Sequence, residues 1–120
     1  MSDCIFCKIV EGSIPARKLY EDDDVVAFHD INPVAPVHFM LIPKQHVNSL
    51  VECTDEHDAV LAKMLRLAPK LAREQGLDTG FRTAINTGRG GGQVVFHLHV
   101  HVFGGTGGKL DSALEKLHHG

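Results

Sequence analysis

The stretch that most constrains the fold is residues 96–103, where apolar and polar side chains alternate strictly. Because successive side chains of a β-strand point to opposite faces, this alternation predicts a strand with its polar side chains in one row. They are His97, His99 and His101, three imidazoles that a strand spaces roughly 6.5–7 Å apart. The apolar residues between them are predicted to pack against a core, and Gly104 and Gly105 to end the strand.

A row of three imidazoles is hard to explain as a solvated surface, because threonine, lysine or serine would serve equally well. Imidazole is the side chain that acts as nucleophile, proton carrier or metal ligand near neutral pH. We therefore interpret the three histidines as functional. The alternative is an ordinary amphipathic strand whose polar face happens to be histidine.

Length and composition favour one globular domain. The chain has 120 residues, of which 43% are hydrophobic, and a formal net charge of -3. This charge argues against a basic nucleic-acid platform but leaves a small phosphate ligand open. No apolar run suggests a membrane span and no signal peptide is recognisable, so no membrane partner is expected. Three cysteines, an odd number, favour a reducing, cytoplasmic setting over a disulfide framework.

Periodicity predicts four further strands and two helices. The strands are expected at residues 18–20, 25–30, 37–42 and 82–87, with the apolar third one central in the sheet. A short helix is expected at residues 5–10 and a long one at residues 54–75, with Thr54 as its N-cap. Pro69 is expected to bend the long helix or to stop it early. After Gly105, leucines at helical spacing predict a short docked helix or a frayed end.

Several other residues carry chemistry that their spacing leaves open. Cys4 and Cys7 form a C-x-x-C motif, which fits half a zinc site, a redox pair or two small buried residues. Asp30 at a strand end is equally a turn cap or a ligand acceptor. His38 in an apolar strand is by itself interpreted as a structural group. Beside the histidine row, the alternative is that it orients another imidazole.

The glycine-rich segment at residues 88–93 matches neither of the common nucleotide-binding glycine motifs. It is either a simple hairpin connection or a loop that holds backbone amides close to an anion.

These residues resemble the histidine triad (HIT) family. Residues 97–103 match its His-φ-His-φ-His-φ-φ signature, where φ is an apolar residue. Residues 4–9, 28–33, 35–36 and 38–46, together with Asn86 and Gly92-Gln93, resemble the Hint branch, in its bacterial type with C-x-x-C. The resemblance covers about 100 residues, up to Gly105.

The resemblance implies an α+β fold with a five-stranded antiparallel sheet, one long helix and one short helix. It also implies a homodimer in which the two sheets join. Residues 1–105 would form the HIT domain, and residues 106–120 a C-terminal tail of the same domain.

The implied activity is hydrolysis at the α-phosphate of purine nucleoside phosphoramidates or related esters, without a catalytic metal. His99 matches the nucleophile, which forms a nucleotidyl-histidine intermediate. His97 and His101 match the flanking residues that hold phosphate oxygens and manage protons, and His38 matches a fourth, supporting histidine.

The implied nucleotide contacts come from several segments. Asp30 matches the carboxylate that accepts the ribose hydroxyls. Phe6, Phe28 and Ile31 match an apolar slot for the base. Asn86, Gly92 and Gln93 match groups around the ribose and phosphate, beside Val94.

In the bacterial-type members, C-x-x-C joins two histidines to bind structural zinc. The matching residues here are Cys4, Cys7, His46 and His97, a sound set of zinc ligands. We favour zinc over free thiols, which makes His97 both a ligand and a phosphate contact.

Two departures from the Hint pattern obscure the leaving group. Val94 stands where many Hint proteins have serine, and their Trp-Pro tail is absent. One alternative is a dinucleoside polyphosphate hydrolase or nucleotidyl transferase of the same superfamily. The other is a nucleotide-binding interaction module with little turnover.

Overall fold

The structure, a computed structural model, describes residues 3–105. In chain order its elements are α1 (Ile5–Glu11), β1 (Lys18–Glu21), β2 (Val25–His29), β3 (Val37–Pro43), α2 (Asp58–Glu74), β4 (Arg82–Ala84) and β5 (Val100–Gly104). The strands form one antiparallel sheet in the order β1-β2-β3-β5-β4. The predicted α+β fold, with one long and one short helix, is therefore confirmed. The helix predicted after Gly105 lies outside the described residues.

The main core lies between α2 and one face of the sheet. The helix contributes an apolar stripe because its apolar residues recur every three or four positions. We call residues 96–103 the histidine stretch. The stripe of the helix packs on Phe39, Leu41 and the apolar side chains of this stretch. The buried helical residues are Met64, Ala68, Leu71 and Ala72, and those of the stretch are Leu98, Val100 and Val102.

A second, smaller core lies on the opposite face of the sheet, under α1. Phe6 and Ile9 of that helix are buried with Phe28 and Met40 of the sheet. Met40 stands opposite His101 in the register of β3 and β5. The imidazoles therefore emerge on the side of the sheet that α1 covers.

Three predicted boundaries differ from the structure by more than one residue: the start of the histidine-stretch strand, the end of β4 and the start of α2. The strand of the histidine stretch begins at Val100 rather than residue 96, because the N–H of Leu98 donates to the carbonyl of Val47 and the preceding segment leaves the ladder. The strand predicted at 82–87 ends at Ala84.

The long helix begins at Asp58, after a 3-10 turn that the Thr54 side chain caps. It continues through Pro69 to Glu74, so an early stop at the proline is wrong.

Among residues 3–105, no helix combines the length and apolar character needed to cross a membrane.

Candidate active site and metal centre

The imidazoles of the histidine stretch line one side of it, although only His101 lies in β5. The ring centroids of His99 and His101 are 4.8 Å apart. Phe6 of α1 meets the rings of His97 and His99 edge-on, with centroids 6.0 and 5.2 Å away. The alternation therefore persists through the irregular segment before β5, because the apolar residues between the histidines are held in the main core.

His99 is buried, and its hydrogen bonding defines which nitrogen carries hydrogen. Its Nδ1 lies 2.7 Å from the main-chain carbonyl oxygen of His97. A carbonyl oxygen only accepts, so Nδ1 donates and the neutral ring keeps its lone pair on Nε2. Within residues 3–105 no hydrogen bond engages Nε2. His99 thus offers an unshared electron pair, which is what a nucleophile requires.

His38 and His101, the histidine pair, meet across β3 and β5. Nε2 of His38 lies 2.9 Å from Nδ1 of His101. A carboxylate oxygen of Asp30 lies 3.4 Å from the first nitrogen and 4.0 Å from the second. Burial lowers the pKa of His38, against the opposing effect of Asp30. Burial, with His99 and His38 nearby, lowers the pKa of His101 to about 4. Both rings are therefore neutral at pH 7.

Asp30 has one of the two roles that its sequence position left open, that of a turn cap, and its role as a ligand acceptor stays a prediction. One carboxylate oxygen accepts the N–H of Asn32 at 2.8 Å, closing a turn. The other faces the histidine pair. The turn thus positions the carboxylate beside the imidazoles.

A second group of side chains, which we call the Cys2His2 group, brings together Cys4, Cys7, His46 and His97. Their ligand atoms all lie within 4.8 Å of one another. The Cys4 sulfur lies 3.3 Å from Nδ1 of His97, and the Cys7 sulfur lies 3.5 Å from the same atom and 3.2 Å from Nδ1 of His46. Tetrahedral zinc with ordinary bond lengths places sulfur and nitrogen about 3.6 Å apart. The group therefore has the size and the ligand types of a zinc site.

Hydrogen bonds orient both histidines of the Cys2His2 group for metal binding. Nε2 of His97 donates to the Pro43 carbonyl oxygen at 2.8 Å, and Nε2 of His46 to the Asn48 side-chain oxygen at 2.6 Å. Each neutral ring then presents a lone pair on Nδ1, toward the sulfurs. Cys4 also caps α1, where its sulfur accepts the N–H of Cys7. Neither Pro43 nor Asn48 was singled out in the sequence, since no motif marks such supporting groups.

The residues predicted to contact the nucleotide differ widely in solvent exposure. Phe6 and Phe28 are buried, with ring centroids 5.4 Å apart, and Phe6 supports the histidines. Ile31 and Val94 are exposed, at 91% and 85%. Asn86 is half-buried after β4. Their contacts with a base or ribose stay predictions.

The glycine-rich loop forms a 3-10 turn whose amides are largely used within the loop. The N–H groups of Gly91 and Gly92 donate to Gly88 and Arg89. The buried side chain of Gln93 accepts the N–H of Gly88 and donates to the carbonyl oxygens of Asn48 and Val95. Gln93 thus joins the loop to the segment that carries His46. The predicted roles of Gly92 and Gln93 at a phosphate stay predictions.

Comparison with known proteins assigns the family. The family model described as "Scavenger mRNA decapping enzyme C-term binding" matches residues 3–111. Protein HitA of Neisseria gonorrhoeae is 54% identical over 104 residues, which cover 87% of this chain and 97% of HitA. The 14 kDa zinc-binding protein of Brassica juncea is 46% identical over 105 residues, which cover 86% of this chain and 93% of that protein.

A solved structure agrees in fold. The HIT family hydrolase from Legionella pneumophila Philadelphia 1 superimposes with a TM-score of 0.84 at 43% identity, covering 88% of this chain and 95% of that one. The chain therefore belongs to the histidine triad family, and it carries the C-x-x-C of the bacterial-type members at Cys4 and Cys7.

Proposed function

We propose that this protein hydrolyses purine nucleoside phosphoramidates at the α-phosphate, through a nucleotidyl intermediate on His99. The observation that carries the proposal is the hydrogen bond from Nδ1 of His99 to the His97 carbonyl, which leaves the lone pair on Nε2. The relatives described as HIT family hydrolases support hydrolysis as the reaction class.

The chemistry divides into two displacements at phosphorus. Nε2 of His99 forms a bond to the α-phosphorus while the phosphorus–nitrogen bond breaks. The electron pair of that bond leaves with the nitrogen, which takes up a proton and departs as the amine. Water then attacks the phosphorus, loses a proton and displaces His99, so that nucleoside monophosphate is released and the ring regenerated.

The neighbouring groups have supporting roles in this scheme. In this proposal His101, which adjoins His99, donates a hydrogen bond to a phosphate oxygen and so stabilises developing charge. The hydrogen bond between His38 and His101 holds the ring of His101, and the Asp30 carboxylate faces both rings. Asp30 is also the proposed acceptor for the ribose hydroxyls, at the edge of the same site.

We further propose that the Cys2His2 group binds structural zinc. The ligand distances and the orienting hydrogen bonds support this, as does the relative named for zinc binding. When bound, zinc supplies a cross-link between α1, the loop after β3 and the histidine stretch. The odd number of cysteines fits a reducing, cytoplasmic location better than a disulfide framework.

The proposed activity is tested by steady-state hydrolysis of adenosine 5′-phosphoramidate. The wild-type protein should turn over, whereas His99→Ala should lose at least about a thousandfold in kcat, because the substitution removes the proposed nucleophile. Mass spectrometry of an alkali-quenched single turnover should detect the nucleotidyl group on His99. Equal rates in the two proteins would contradict the assignment of the nucleophile.

A diadenosine polyphosphate serves as the comparison substrate in the same assay. Faster turnover of this compound would favour the alternative activity of the superfamily, with the same nucleophile. Tight binding of AMP with no turnover of either compound would favour a binding module.

We also propose a homodimer joined at β4. This strand lies at one edge of the sheet, and within the described residues it pairs only with β5. An open edge is a template for pairing with a second copy. Sedimentation equilibrium should give twice the mass of one chain, and Thr83→Lys should weaken the dimer by placing like charges across its twofold axis. Thr83→Ser is the control, and a monomeric wild-type protein would contradict the proposal.

A further inference from the structure

We propose that the main-chain N–H of Val34 sets the tautomers of the histidine pair, so that His101 presents a neutral N–H donor to the substrate. Val34 would thus be a positioning residue that acts through His38. The consequence for catalysis rests on the proposed function, whereas the tautomers themselves rest on geometry alone.

The contact that starts the argument lies in the loop between β2 and β3. The N–H of Val34 donates to Nδ1 of His38 over 3.2 Å. A main-chain amide nitrogen has only a hydrogen to offer, so Nδ1 must supply its lone pair. A neutral imidazole with an accepting Nδ1 carries its single hydrogen on Nε2.

The tautomer of His38 in turn determines the tautomer of His101. The hydrogen on Nε2 of His38 lies between that ring and Nδ1 of His101, 2.9 Å away. Nδ1 of His101 must therefore accept, and the neutral ring carries its own hydrogen on Nε2. The opposite tautomers would place two hydrogens between Val34 and His38.

The loop is held in place at several points, which keeps Val34 beside His38. The N–H of Asp30 donates to the His38 carbonyl at 3.0 Å, and the Asp30 side chain closes the turn at Asn32. Pro36 packs against Gly105, where an added Cβ atom would lie 2.9 Å from the proline ring. The donor is therefore positioned before a substrate arrives.

This arrangement also opposes charging of the histidine pair. A proton added to His38 at Nδ1 must displace the Val34 N–H, and one added to Nδ1 of His101 must displace the hydrogen from His38. His101 then acts as a hydrogen-bond donor rather than as an imidazolium acid.

Asp30, His38 and His101 have side chains of the kinds that bind metals, and the same tautomer argues against a metal ion between them. Atoms of Asp30, His38 and His101 lie within 4.8 Å of one another. A hydrogen on Nε2 of His38 occupies the position that a metal ion needs, since a protonated nitrogen has no lone pair to share.

The direct test is NMR of the uniformly ¹⁵N-labelled wild-type protein at pH 7. Couplings through N–H···N hydrogen bonds should connect Val34 N with His38 Nδ1, and His38 Nε2 with His101 Nδ1. The Nδ1 resonances of both rings should lie in the region of unprotonated nitrogen. A protonated Nδ1 on His38 would overturn the proposal.

Val34→Pro removes the N–H, and Val34→Ala keeps it. The proline variant should lose the first coupling and show a mixture of His38 tautomers. Its kcat should fall about tenfold, the effect of one hydrogen bond, while the alanine variant stays within about twofold. An unchanged His38 tautomer in the proline variant would overturn the proposal. Intact couplings in a wild-type protein without turnover would instead refute only the proposed activity.

Discussion

At the scale of the residue, His97 takes part in three interactions. Its Nδ1 belongs to the Cys2His2 group, its Nε2 donates to the Pro43 carbonyl, and its own carbonyl accepts from His99. With both ring nitrogens engaged, the geometry favours the metal role over the phosphate contact that the family pattern implies. The main chain of His97 instead orients the nucleophile.

The pH dependence of stability should reflect the histidine pair. Burial, with His99 and His38 nearby, lowers the pKa of His101 to about 4 against the opposing effect of Asp30, whereas the unfolded chain has an imidazole near 6.5. As pH falls below about 6.5, the unfolded state binds a proton that the folded state does not. Stability is therefore complete above this pH and is lost toward pH 4, by at most about 3 kcal/mol for this ring.

Urea unfolding at several pH values between 7.5 and 4.5 measures this effect. The free energy of unfolding should decline less steeply for His101→Gln than for the wild-type protein. Comparing how steeply the free energy of unfolding changes with pH in the two proteins removes contributions that both share, such as metal release. Parallel pH profiles would contradict the lowered pKa.

At the scale of the element, the histidine stretch and α2 show how packing modifies local preference. The alternation correctly placed the imidazoles opposite the core. It did not reveal that the strand begins only at Val100, because the bond from Leu98 to Val47 depends on a distant segment. Likewise Pro69 does not stop α2, since the buried stripe on both sides of it holds the helix against the sheet.

Pro69→Ala should stabilise the protein. Proline in a helix removes the hydrogen bond to the carbonyl four residues earlier, that of Leu65, at a cost of ~3 kcal/mol. Against this gain stands the loss of ~1 kcal/mol that proline contributes by restricting the unfolded chain. We expect a net gain of about 2 kcal/mol in urea unfolding. Arg66→Ala, on an exposed position of the same helix, should change stability little, and a destabilised Pro69→Ala would refute the argument.

At the scale of the whole molecule, the Cys2His2 group joins parts of the chain that are far apart in sequence. Cys4 and His97 are separated by 93 positions, and Cys7 and His46 by 39. A metal that binds only the folded protein stabilises it by mass action. Such a link would also hold α1 over the histidines, through Phe6.

The double variant Cys4→Ser, Cys7→Ser should therefore lose its zinc and melt roughly 10 °C lower, yet keep part of its activity. Elemental analysis and calorimetry measure the two effects. Cys53→Ser is the control, since this cysteine lies outside the group and should leave the zinc content unchanged. Equal zinc content in the double variant and the wild-type protein would refute the metal site.

The sequence by itself determined the row of imidazoles, the apolar face behind it and the individual strands and helices, because strand and helix periods follow from local backbone geometry. The α+β fold that they form was predicted from the resemblance to the histidine triad family. It also identified the ligand types at Cys4 and Cys7. Only the tertiary structure decided which nitrogen of each histidine carries hydrogen, since that depends on partners such as the amide of Val34 and the carbonyl of Pro43. Those partners come from loops whose positions no periodic pattern records, and packing alone brings them to the imidazoles.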